Sequence, residues 1–136
     1  MYLRLVYIST MRRPLDEAEC TQILAASRRN NGADGITGLL VAGGNRFLQL
    51  LEGPAAVVER CFHRIGRDPR HFAVVTLDRR ETSERQCPDW AMGFLPGGCA
   101  ADGASLGEIV EALVGPIADK NLKAQFTGFA QIQSAA

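Results

Sequence analysis

Residues 2–9, Tyr-Leu-Arg-Leu-Val-Tyr-Ile-Ser, place apolar side chains on both faces of an extended strand: Leu3, Leu5 and Tyr7 on one, Tyr2, Val6 and Ile8 on the other. Such a strand belongs inside a sheet that is covered on both sides. Two layers of cover must therefore come from elsewhere in the chain or from a partner. The 136 residues, 46% of them hydrophobic and 22% charged, are enough for one domain with a single sheet. At this size about two thirds of the unfolded surface is buried on folding, so neither a disulfide nor a metal is needed as a staple.

The punctuation along the chain sets the order of elements. Asp16 with Glu19 forms a capping pair ahead of Cys20, Ile23, Leu24 and Ser27, the stripe of a first helix predicted to run to about Arg29. Asn30, Asn31, Gly32 and Gly35 mark a turn into a strand over 36–42, and Gly43-Gly44 is a hairpin signal leading to a third strand over 46–52. Gly53-Pro54 opens a second helix, striped by Val58, Cys61, Phe62 and Ile65 and stopped by Gly66 and Asp68-Pro69. A fourth strand is predicted over 72–77, an exposed charged stretch over 78–89 and a fifth strand over 90–95. After Pro96-Gly97-Gly98, a capping box of Ser105 and Glu108 begins an amphipathic helix that Gly115-Pro116 ends, and 117–129 is a weaker helix.

The order β-α-β-β-α-β-β, with right-handed crossovers, puts the first two helices on one sheet face. The expected fold is α+β, a ferredoxin-like sandwich with a five-stranded mixed sheet. The C-terminal helices, or a partner chain, would lie on or near the second face. Residues 1–95 would form the domain proper and 96–136 a linker and helical extension.

Several function classes are excluded by what the chain lacks. Fifteen basic residues balance fifteen acidic ones, so no bulk charge draws it to nucleic acid or to an anionic membrane. Cys20, Cys61, Cys87 and Cys99 form no CxxC pair, and His63 and His71 have no ligand set at metal spacing, so both histidines read as structural and no metal is expected. The run from Gly32 to Gly38 lacks GxGxxG spacing and follows a helix, which makes it a turn. No Ser-His-Asp or paired-carboxylate set is recognisable, and the expectation is that the chain is not an enzyme. Without a charged n-region or long apolar stretch, it reads as cytoplasmic, with reduced thiols.

Three polar residues fit this pattern poorly. Gln49 shares a strand face with Phe47 and Leu51, and a core amide without partners costs about 1–3 kcal/mol. A backbone group or a water is its ordinary remedy. Tyr7 has the same need for an acceptor, with a nearby carbonyl as the ordinary one, and Asn31 reads as a left-handed helix cap shared with Gly32. Together they would bring a phenol and two amides to one helix-covered region, a set able to hydrogen-bond the edge of a flat heteroaromatic ligand.

The segments Leu5-Val6-Tyr7-Ile8-Ser9, Arg29-Asn30-Asn31, Gly35-Ile36-Thr37-Gly38-Leu39-Leu40, Phe47-Leu48-Gln49-Leu50-Leu51-Glu52-Gly53 and Trp90-Ala91-Met92 resemble those of BLUF domains, the blue-light sensors using flavin. The resemblance spans residues 2–95 in order. It implies a noncovalently bound FAD whose ring lies between the two helices, with Tyr7, Gln49 and Asn31 at its polar edge. By the same matching Asn30 and Arg64 would contact the pyrimidine end, and Ile23, Ser27, Phe47 and Ile65 would be ring walls. Asp68 and Arg70 would lie near the ribityl chain or beyond, although a solvated helix end with surface ion pairs accounts for them equally well.

The resemblance further implies that Tyr7 gives an electron to the photoexcited ring, that a proton moves through Gln49, and that the Gln49 amide ends changed in tautomer or orientation, with absorption shifted to the red. Trp90 and Met92, at alternate positions on one face of the fifth strand, would relay the change, although two large core residues would show the same spacing. The chain beyond residue 95 has no room for a cyclase, GGDEF or EAL domain, so it resembles the short type that signals by association, as a homo-oligomer, a dimer or larger, and to a separate effector. Two alternatives stand beside this reading. A small flavin-dependent oxidoreductase would need substrate access and a nicotinamide signature, and a flavin-free interaction module would be colourless.

Overall fold

The computed structural model describes residues 1–13, 16–43, 45–86, 93–95 and 106–135. The elements are β1 (Tyr2–Met11), α1 (Glu17–Asp34), β2 (Thr37–Gly43), β3 (Arg46–Gly53), α2 (Ala55–Gly66), β4 (His71–Thr82), β5 (Gly93–Leu95), α3 (Leu106–Val114) and α4 (Lys120–Ala135). They build one sheet in the order β4-β1-β3-β2-β5. The first four strands pair antiparallel, and β5 runs parallel to β2.

With β1 and β3 in the middle, the apolar alternation seen in the sequence resolves into two cores. Leu3, Leu5, Tyr7, Phe47 and Leu51 face Val58 and Cys61 of α2, with Ile23 of α1 packed against them. Val6, Leu39, Val41, Leu48 and Leu50 face Val110 and Val114 of α3 and Leu122, Phe126 and Phe129 of α4. The chain itself covers the second face. Close approach of β2 to β3 requires Gly38, where a Cβ would stand 1.9 Å from the Leu50 carbonyl oxygen.

Four predicted boundaries are corrected. First, α1 does not stop near Arg29 but continues to Asp34. Gly35 (φ 71°), not Asn31 or Gly32, is the left-handed residue, and Ile36 N–H donates to the Asn31 carbonyl at 2.8 Å. Turn-forming residue types are overridden here by burial of Asn31 and by the glycine placed where the chain must reverse. Second, β4 runs through the charged stretch to Thr82, with Asp78 opposite Val6 and Arg80 opposite Arg4. An edge strand keeps charges in water, and they block pairing with a foreign strand. Third, α4 begins at Lys120, where Asp119 Oδ1 accepts the Asn121 and Leu122 N–H groups at 3.0 and 3.1 Å, and it ends at Ala135. Ile117 is instead a buried residue of the connection. Fourth, Gly43 is the last residue of β2, paired with Arg46. Gly44, Trp90, Met92, the 96–98 linker and Ser105 lie outside the described residues.

Candidate functional site

Tyr7 and Gln49 are direct partners across β1 and β3, on the face covered by α1 and α2. Both side chains are buried, and the Tyr7 hydroxyl donates to Gln49 Oε1. Burial drives the Tyr7 pKa far above its ordinary value of 10.0, and the charge of Asp68 adds to the rise. The phenol therefore keeps its proton across the physiological range.

Asn31 lies on the last turns of α1, where the corrected helix end turns its side chain inward. Its Oδ1 accepts from the Cys61 thiol at 3.6 Å, bridging α1 to α2. Burial pushes the Cys61 pKa up, against a smaller opposing pull from Arg64, so the sulfur stays a protonated, weakly nucleophilic thiol.

These groups open onto a cavity of about 260 Å³ between α1, α2 and the sheet. The structure brings Tyr7, Ile23, Ser27, Asn30, Asn31, Phe47, Gln49, Arg64, Ile65, Asp68 and Arg70 together in its lining. Asp68 and Arg70 are also an ion pair: Arg70 Nε and backbone N–H each donate to Asp68 Oδ1 at 2.9 Å, and that bonding holds the carboxyl below its ordinary range. Trp90 and Met92 lie outside the described residues.

His71, read from the sequence as a structural histidine, also lines this cavity. Its Nε2 donates to the Ile65 carbonyl at 2.7 Å, and its Nδ1 shares a hydrogen bond of 2.7 Å with the Ser9 hydroxyl. The ring meets Tyr7 and Phe47 edge-on, with centroids 6.4 and 6.2 Å away. Nothing at positions 70–72 announces this, since the partners come from β1 and α2. Cys61, Ala26 and Leu40 also line the cavity, and Cys61 is indistinguishable in sequence from the rest of the α2 stripe. Among the described residues no group of three or more His, Cys, Asp or Glu side chains could hold a metal, and no helix is long and apolar enough to cross a membrane.

The donor set fits a flavin ring. The lining combines the neutral hydrogen-bonding groups of Tyr7, Gln49, Asn30 and Asn31 with the apolar side chains of Ile23, Phe47 and Ile65, the Arg64 guanidinium and the Asp68–Arg70 ion pair. At about 260 Å³ the cavity is close to the lower end of small-molecule sites, about 300 Å³. Residues 2–93 match the family described as BLUF, sensors of blue-light using FAD. The chain belongs to the BLUF family.

Two curated BLUF relatives are only partly matched. The photoactivated adenylate cyclase subunit beta of Euglena gracilis is 36% identical over 89 residues, 65% of this chain and 10% of that protein. The blue light- and temperature-regulated antirepressor BluF of Escherichia coli K12 is 34% identical over 77 residues, 57% of this chain and 19% of that protein. This chain thus spans a small part of their length. Two solved BLUF structures match nearly end to end. BlrB in its dark state has 30% identity, a TM-score of 0.73 and 96% of each chain covered. BlsA in its photo-activated state has 26% identity, a TM-score of 0.70, and 100% of this chain and 96% of that one covered. The α+β architecture, an antiparallel sheet packed with helices, is the one found in these BLUF proteins.

Proposed function

We propose that this chain is a blue-light photoreceptor that holds FAD noncovalently between α1 and α2 and signals through the Tyr7–Gln49 hydrogen bond. The observation that carries the reading is that bond itself, buried and facing the cavity. A bound flavin supplies the blue absorption and, once excited, an electron-accepting ring. Tyr7 is the electron donor. Oxidation makes a phenol strongly acidic, so the proton would pass along the existing bond to Gln49 Oε1 while the amide gives up a proton from its nitrogen to the reduced ring. Return of one electron and one proton from the ring to Tyr7 would leave the Gln49 amide changed in tautomer or orientation.

Asn30, Asn31 and Arg64 would hold the polar end of the ring, Ile23, Ser27, Phe47 and Ile65 its walls, and Asp68 and Arg70 the start of the side chain. The β4-β1-β3-β2 order supports a ferredoxin-like scaffold, with β5 as a fifth strand. The change would pass through Trp90 and Met92 to the C-terminal helices and to a partner in the cytoplasm. Phe72, Val75 and Leu77, exposed on β4, support an association surface for a second copy or an effector.

The test is the absorption spectrum of the purified protein in darkness, under blue light and during recovery. Wild type is expected to be yellow with a reversible red shift. Tyr7→Phe should keep the colour and lose the shift, and a normal photocycle in that variant overturns the assigned roles.

A further inference from the structure

On the sheet face opposite the cavity, three residues after Gln49, Glu52 is completely buried. The Gln86 backbone N–H donates to both of its carboxylate oxygens at 2.9 Å. Arg4, opposite Glu52 on β1 and only 4% exposed, donates from Nη1 to Asp119 Oδ2 at 2.8 Å. The Gln86 side chain closes the circuit, its Oε1 accepting the Ala118 and Asp119 N–H groups at 3.0 and 3.1 Å. Asp119 in turn caps α4. Residues 4, 52, 86 and 119 thereby tie the two central strands to the segment after β4 and to the first turn of α4.

Buried charges are tolerated only when geometry and hydrogen bonding are maintained, which makes such a circuit cooperative. It also has a second arrangement within reach. Arg4 Nε is buried without a hydrogen-bond partner, 3.8 Å from Glu52 Oε2, so a small closure would give Glu52 a donor to replace Gln86. Gln86 immediately precedes the segment that carries Trp90 and Met92.

We infer that Gln86 is the joint coupling the sheet to α4: displacing it breaks its bonds to Glu52 and to the α4 cap together, and Arg4 closes on Glu52 as α4 loosens. The inference rests on the photoreceptor reading for the stimulus that moves residue 86.

Hydrogen–deuterium exchange of the full chain with its bound cofactor, in darkness and under blue light, tests it alongside the absorption shift. In wild type, light is expected to speed exchange of amides 118–127 severalfold. In Gln86→Ala those amides should exchange in the dark at about the lit wild-type rate, with light adding less than twofold, while the absorption shift keeps its size. Full light-induced speeding in Gln86→Ala overturns the coupling, as does a wild-type absorption shift with no change at 118–127. A wild type without any absorption shift overturns the photoreceptor reading and the light coupling with it. Should Gln86→Ala fail to fold, Gln86→Met, which keeps the length of the side chain but lacks the oxygen that accepts the Ala118 and Asp119 N–H groups, carries the same expectations.

Discussion

At the residue scale, Asp68 shows how one charge at the cavity rim ties stability to acidity. Arg70 bonds it from backbone and side chain, and this, more than the opposing effect of burial, depresses its pKa below the ordinary 3.8. A carboxylate whose pKa falls on folding contributes stability that is fully present above its unfolded pKa and is lost as pH drops through the folded value. The pair is part-exposed, so its contribution is of the order of 0–1 kcal/mol. Melting temperatures followed from neutral pH into acid should show wild type slightly above Asp68→Asn, with the two converging below the depressed pKa. A gap that widens in acid contradicts the assignment. Tyr7, Gln49 and Asn31 are legible in the sequence because a polar type stands out in an apolar alternation or next to a helix end. His71, Arg4 and Glu52 are not, since their partners lie on other elements and only the closed sheet brings them together.

Elements reveal themselves where local chemistry agrees with packing. The Asp16 and Glu19 capping box starts α1 where expected, with Glu19 N–H donating to Asp16 Oδ1 at 2.7 Å. The end of that helix was hidden because three turn-forming residues precede the glycine that terminates it. Likewise, the charges of 78–82 read as loop until an edge position makes them suitable for a strand. Gly38 and Gly128 separate packing from propensity. Gly38→Ala forces a methyl into the Leu50 carbonyl, a backbone atom that cannot yield cheaply, and should destabilise by about 1–3 kcal/mol or more. Gly128→Ala, in α4 with open space around its Cα, should stabilise by about 0.5–1 kcal/mol. Denaturant midpoints of the two variants should move in opposite directions, and a shared direction refutes the argument.

For the whole molecule, the question is how independent the C-terminal helices are. The sequence foretold a sheet needing cover on both faces and left open whether α3 and α4 or a partner supplied it, because an amphipathic helix does not record what it packs against. In the structure Val6, Leu39, Val41, Leu48 and Leu50 rest on α3 and α4. At about 1.5–3 kcal/mol for each such side chain, uncovering them rivals the 5–15 kcal/mol that holds a typical domain together. A chain ending at residue 105 should therefore bind hydrophobic dyes and aggregate or oligomerise on size exclusion. A well-behaved monomer with wild-type stability would show that the helices are dispensable. The double cover also limits how β3 can move. Its residues are sunk alternately into two different interiors, and advancing the strand one notch would exchange Gln49 with Leu50, marooning an amide in one hydrocarbon layer and a bare aliphatic chain at the cavity wall. Sliding like a piston is therefore closed to this strand, and any message it carries must travel as the swivel of individual side chains.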